Sequence, residues 1–146
     1  MLFYYSDNQT IYFYRESEIV EQVWWDHTRI MSDISFMNEL SQFLDYINRF
    51  RPKYVILNLQ KMFHHVRPDL IPFISAKFRN TEYSGIKKIS IIESDDSVTR
   101  NLMNEIIKES KLNKCHVEIF KQEEKAIEWF HDPLEEEVES RIFQVA

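Results

Sequence analysis

The segment Arg51-Pro52-Lys53-Tyr54-Val55-Ile56-Leu57-Asn58-Leu59 joins two kinds of pattern, and everything else in the chain can be placed around it. Its second part, Tyr54–Leu59, is a short, β-rich, almost wholly apolar run. Such a run suits a central strand covered on both faces, because an amphipathic strand would alternate. Its first part ends a helix. Pro52 has no N–H to continue an α-helical ladder, and Arg49, Arg51 and Lys53 favour a helix C-terminus electrostatically. The helix that ends there carries Phe36, Leu40, Phe43, Leu44 and Ile47 at i, i+4, i+7, i+8 and i+11, an apolar stripe on one side. Ser32 or Asp33 can accept hydrogen bonds from its first free N–H groups.

Moving toward the N-terminus, Leu2–Tyr5, Ile11–Tyr14 and Ile19–Trp25 read as three strands separated by Asp7-Asn8 and by Arg15–Glu18. In the third, Ile19, Glu21, Val23 and Trp25 share one face and Val20, Gln22 and Trp24 the other. Toward the C-terminus, Gln60–Arg67 is a loop, and Pro68 suits a first helical position, where a missing N–H has no partner to lose. Leu70, Ile71, Ile74 and Phe78 form the next stripe, and Pro72 fits only if the helix proper starts near it. Gly85 is expected to be a left-handed cap before the strand Lys87–Glu93. Ser94 or Asp95 is expected to cap a third helix with Val98, Leu102 and Ile106 inward. Val117–Phe120 reads as the last strand. Gln122–Phe130 reads as the fourth helix, with Ala126, Ile127 and Phe130 inward and Pro133 as a stop.

Composition narrows the function classes. Only one of 146 residues is glycine. A phosphate-cradling P-loop, a dinucleotide fingerprint and a nucleophile elbow all need several, so none is present. A net charge of −6 argues against a nucleic-acid binder or attraction to anionic membrane surfaces. The single Cys115 cannot form an internal disulfide, which suits a reducing cytoplasm. Neither a signal peptide nor an apolar run long enough to span a membrane is visible. The expectation is one domain over 1–132 and a tail over 133–146. In the tail, Leu134, Val138 and Ile142 could form a short amphipathic helix, on the domain or on a partner.

From residue 30 the order is helix, strand, helix, strand, helix, strand, helix. That implies parallel strands joined by right-handed crossovers, and the preceding hairpin makes the sheet mixed. The fold class is therefore α/β with a mixed sheet and about four helices. The pattern resembles the STAS fold, and its details the bacterial SpoIIAA-like (STAS/SEC14-like) group. The resemblance is carried by Met31-Ser32-Asp33, by Arg51–Leu57, by Gly85-Ile86-Lys87-Lys88-Ile89-Ser90-Ile91 and by Glu123–Phe130. It implies a regulatory domain that acts by contact with other proteins. It does not carry over the family's phosphorylation switch. The turn that holds a Ser or Thr in that family reads Asn58-Leu59-Gln60-Lys61-Met62-Phe63-His64-His65 here, without a hydroxyl.

Candidate sites are few. Asn58, Lys61, His64, His65 and Arg67 make a polar, largely basic loop at a strand end, before a helix N-terminus. Helix N-termini attract anions, and open α/β sheets bind ligands where their strand order switches. The alternative is a solvated loop. His64 and His65 with Asp69 fall short of a metal ligand set, and no metal or cofactor is expected. Ser94-Asp95-Asp96 reads as helix capping rather than a magnesium site. Trp24 and Trp25 point to opposite faces, one into the core and one available as a partner anchor. Cys115 and His116, adjacent on a strand, face apart and make no catalytic dyad. The sequence thus points to a non-enzymatic module that contacts a protein or a second copy of itself. The competing expectation is a carrier or sensor of a small apolar or anionic ligand near loop 60–67.

Overall fold

The computed structural model describes residues 1–82 and 85–132, so the expectations about the 133–146 tail fall outside it. Six strands form one sheet: β1 (Leu2–Tyr5), β2 (Gln9–Tyr14), β3 (Ile19–Trp24), β4 (Tyr54–Asn58), β5 (Lys88–Ile92) and β6 (His116–Phe120). Their spatial order is their order in the chain. β1, β2 and β3 pair antiparallel, and β3 to β6 pair parallel. The helices are α1 (Asp33–Phe50), α2 (Ile71–Thr81), α3 (Ser97–Ser110) and α4 (Glu123–Phe130). The α/β mixed sheet with its leading hairpin is thus as the sequence pattern implied.

Adding parallel strands always on the same side, by right-handed crossovers, puts every crossover helix on one face. The main core shows this. Phe36, Leu40, Phe43, Leu44 and Ile47 of α1 pack with Ile71 and Ile74 of α2, with Met103 and Ile106 of α3, and with Val20, Val55, Leu57, Ile89 and Ile91 of the strands. Period-2 alternation sends Ile56 and Ile92 to the opposite face, where they meet Ala126 and Phe130 of α4. β4 is therefore covered on both sides. α4 packs against β4, β5 and β6. Strand order nowhere reverses, so the sheet has no switch point, and loop 60–67 does not border one.

α4 is held partly by polar contacts from β5. Ser90 Oγ donates to the Ala126 carbonyl at 3.0 Å. Lys88 is buried, and its ammonium donates to the carbonyls of Trp129 at 2.6 Å and Asp132 at 2.5 Å. It also lies 4.8 Å from the centre of the Trp129 ring. A cation thus satisfies carbonyls that a helix end leaves without intrahelical partners.

Several caps and stripes differ from expectation. Gly85 does not cap α2, which ends at Glu82 in an extended conformation (φ −60°, ψ 135°). The left-handed positions fall instead on Glu18, Arg51 and Lys111, with φ of 57°, 47° and 50°. α3 is capped by Asp96, whose carboxylate accepts from the Thr99 N–H, rather than by Ser94 or Asp95. Its buried stripe is Thr99, Met103, Ile106 and Ser110, while Val98 is 47% exposed. Small hydroxyls fill positions that hydrophobic periodicity does not credit, and Ser110 Oγ donates back to the Ile106 carbonyl at 2.6 Å. Ile127 is likewise exposed on α4. Pro72 sits in the first turn of α2, after a 3-10 turn over Pro68–Leu70, where its missing N–H costs nothing. No helix among the described residues is long and apolar enough to cross a membrane.

Two outcomes follow. Lys111→Gly relieves a left-handed backbone at the exposed end of α3 and should raise stability by about 0.5–1 kcal/mol in urea unfolding. Lys88→Met leaves the α4 carbonyls buried without their donor and should cost about 2 kcal/mol or more by the same measurement.

Candidate functional site

Loop 60–67 follows β4, and backbone and hydroxyl bonds pin it from both sides. The Leu59 N–H donates to the Ile92 carbonyl at 2.9 Å, and the Asp95 N–H to the Gln60 carbonyl at 3.0 Å. Thr28, fully buried, donates through Oγ1 toward the Trp25 carbonyl at 2.7 Å and accepts from the Phe63 N–H at 2.9 Å. Ser94 Oγ donates to the Met62 carbonyl at 2.8 Å and accepts from the Asp96 N–H at 3.1 Å. Met62 and Val66 enter the core.

This anchoring separates the loop's polar side chains. His64 is buried, stacks on Phe36 and has its Nε2 2.7 Å from Asp33 Oδ1. His65 Nε2 lies 2.7 Å from Asp96 Oδ2. Bonds from the Thr99 N–H and hydroxyl, and then from His65, hold Asp96 down to about 2. Arg67 makes two bonds to Asp69, at 3.0 and 2.7 Å. Three of the four basic groups therefore face carboxylates, two of which stand at the N-termini of α1 and α3. The charge that would attract an anion is already compensated. No three His, Cys, Asp or Glu side chains come together as a metal site among the described residues. Asn58 Oδ1 accepts from the Gln60 N–H at 3.1 Å and so shapes its own turn.

Lys61 has a different setting. With Asn58 and Gln60 it lines an open cleft of about 470 Å³, beside Tyr12 and Tyr14 of β2, Glu21 and Val23 of β3, Trp24 and Trp25, and Glu123 at the start of α4. The cleft forms where α4 stops short of the hairpin. It unites residues that the sequence singled out separately: Trp24 and Trp25 with Asn58 and Lys61. The two tryptophans divide as alternation requires. Trp24 is buried and stacks on Phe36 at 5.7 Å, whereas Trp25 is half-buried, its indole N–H donating to Thr10 Oγ1 at 2.8 Å.

Sequence reasoning missed the four other polar or aromatic walls of the cleft, Tyr12, Tyr14, Glu21 and Glu123. The Tyr12 and Tyr14 rings stack with centres 6.2 Å apart. Glu21 is 5% exposed. Burial, and then its hydrogen bond and charge repulsion with Glu123, push its carboxyl up to about 7. A second carboxyl close by disfavours the ionised form of a buried one. The Tyr14 hydroxyl donates to Glu21 Oε1 at 3.1 Å, and burial followed by Glu21 pushes that phenol up to about 12. One signal was legible: a single acid on the otherwise apolar face Ile19, Val23, Trp25.

Other concavities offer less. A second open cleft of about 330 Å³ is bordered by Arg29, Phe63, His65, Asp95 and Asp96, with the Arg29 guanidinium 4.7 Å above the Phe63 ring. The apolar cavities among α1, α2, α3 and the sheet measure about 50 and 30 Å³, well below the ~300 Å³ or more of ligand pockets. Cys115 donates to Glu82 Oε2 at 3.1 Å, and burial and that carboxylate push the thiol up to about 12, far from a nucleophile's range. Glu82 also accepts the Asn113 and Lys114 N–H groups, so it ties the end of α2 to the turn before β6. No protein-family model matches the chain, and no curated protein or solved structure matches it either.

The raised Glu21 carboxyl makes stability depend on pH. Unfolded, it titrates near 4.5; folded, near 7. Between those values the folded state holds a proton that the unfolded state has lost. The contribution is therefore fully present below about pH 4.5 and is lost as pH rises through about 7. After allowing for solvent screening its size is on the order of 2 kcal/mol. Glu21→Gln keeps the shape and removes the titration. Its melting temperature should match the parent's near pH 5 and exceed it at pH 8; equal melting temperatures at both would contradict the raised Glu21 carboxyl.

Proposed function

We propose that this chain is a binding module that recognises a partner protein by seating a basic side chain in the Trp25–Lys61 cleft. The observation that carries the reading is the convergence of aromatic walls with a carboxyl pair in one open concavity, near Trp24, Trp25, Asn58 and Lys61. An arginine or lysine suits such a place: its stem or plane lies on aromatic rings, and its charge displaces the proton that the raised Glu21 carboxyl holds. The net charge of −6 favours a basic partner over an acidic one.

Openness favours a protein over a small molecule. A bound small ligand is usually enclosed over most of its surface, whereas this cleft is open along one side, and the apolar cavities among the helices and the sheet are too small. This weighs against a lipid or apolar carrier. The hairpin and alternating helix–strand order support a STAS-like reading of the scaffold, and with it action by contact rather than by turnover. A cytoplasmic setting, suggested by the lone Cys115, belongs to the same reading.

The proposal is tested by titrating the protein with short basic, neutral and acidic peptides while following its indole and backbone amide signals by NMR. Basic peptides should give saturable shifts centred on Trp25, Gln60 and Lys61, reduced at least about tenfold in affinity by Trp25→Ala. Cation binding should also release a proton near pH 7, so affinity should rise between pH 6 and 8. Equal shifts with acidic peptides, or shifts confined to other surfaces, would defeat the reading.

A further inference from the structure

The two edges of the sheet are built differently. At one edge, β1 is four residues long, and its pairing with β2 shifts register between Leu2 and Tyr4. Such irregularity blunts an edge against further strands. At the other edge, β6 runs in unbroken register with β5 from His116 to Phe120. It contains no proline, and no strand pairs with its outer side among the described residues. Ile119 on it is 45% exposed.

The outward-facing groups of β6 can be read from its inner bonds. The His116 N–H donates to the Lys87 carbonyl, and the Glu93 N–H to the Phe120 carbonyl. Even-numbered residues thus turn their backbone groups toward β5. Val117 and Ile119 turn theirs outward, because N–H and C=O of one residue point the same way along a strand. An incoming antiparallel strand must bond to Val117 and Ile119.

We infer that the occupant of this edge is β6 of a second copy of the chain, joined by a two-fold axis at Val117. In that register Val117 exchanges both backbone bonds with its symmetry mate, and Cys115 does so with Ile119 of the other copy. His116 then stands directly opposite Glu118 in a non-hydrogen-bonded pair, where side chains approach most closely. The symmetry makes two such pairs, each an imidazole against a carboxylate. Apolar Val117 and Ile119 fall on the other side of the joined sheet. Shifting the axis to Glu118 places two glutamates face to face, which repels. Shifting it to Ile119 sets Glu118 against Phe120 and brings Lys121 into the pairing beyond the strand end. Of these three registers, only the first satisfies both the backbone and the side-chain pairing. An isologous pairing of this kind also closes on itself, so it gives dimers rather than fibres. The inference does not depend on the cleft or its partner.

A five-residue strand buries less than a standard stable interface, so the dimer should be reversible, with its midpoint between about 1 µM and 1 mM protein. The test is sedimentation equilibrium of the full chain over that range, with His116→Glu, Glu118→Lys and the charge-swapped double variant. His116 and Glu118 are both exposed, so none of these changes should disturb the fold, which circular dichroism verifies. Each single variant replaces the imidazole–carboxylate pairing with two acids or two bases opposite one another and should weaken the dimer about tenfold or more; the double variant again sets an acid opposite a base and should recover parental affinity. A chain that stays monomeric up to about 1 mM overturns the inference. So does a dimer indifferent to the single changes, and so does a double variant that fails to recover.

Discussion

Right-handed crossovers between strands laid down in one direction are the constraint on which the rest of this molecule depends. They require α1, α2 and α3 to share a face, and the main core shows that they do. The other face is then left to whatever follows β6. Among the described residues that is α4, whose eight residues make a rod of about 12 Å. The six strands extend for about 24 Å at their usual spacing. One short helix cannot cover them, so it covers β4 to β6 and stops at the hairpin. The cleft is the step left at that boundary.

The same constraint explains the electrostatics. A carboxyl at Glu21 would be ordinary on a solvated hairpin. Here the first residue of α4 comes down beside it, and Tyr14 closes the other side, so the acid is desolvated and paired with another acid. Its raised proton affinity is the consequence of where α4 begins. The histidine-rich loop shows the reverse. Crossover helices all start at one end of the sheet, so Asp33 and Asp96 stand at helix N-termini beside that loop and engage the His64 and His65 rings. A stretch that looks cationic in sequence is compensated in space.

Much of the scaffold was legible because it is set by local spacing. All five apolar positions expected in α1 are buried, and the apolar run at β4 is covered on both faces. Where the reading failed, polar side chains had found partners that spacing does not reveal. Thr99 and Ser110 belong to the buried stripe of α3 because their hydroxyls bond Asp96 and the Ile106 carbonyl. Lys88 lies inside because α4 brings its carbonyls there. Gly85 suggested a left-handed cap, yet Arg51 and Lys111 take that conformation where α1 and α3 end. Of the cleft, Trp25, Asn58 and Lys61 could be singled out; their meeting could not.

By itself the sequence determined the elements, the α/β class and the exclusion of glycine-dependent phosphate chemistry. Those depend on periodicity over a few residues and on whether a Cβ is present. Only the tertiary structure decided which charges survive as charges and which surfaces stay open. Glu21 and Glu123 lie near opposite ends of the chain, and Lys88 lies 41 residues before the Trp129 carbonyl it satisfies at the end of α4. A proton's affinity depends on desolvation and on the nearest charge, and both are fixed by packing between distant segments.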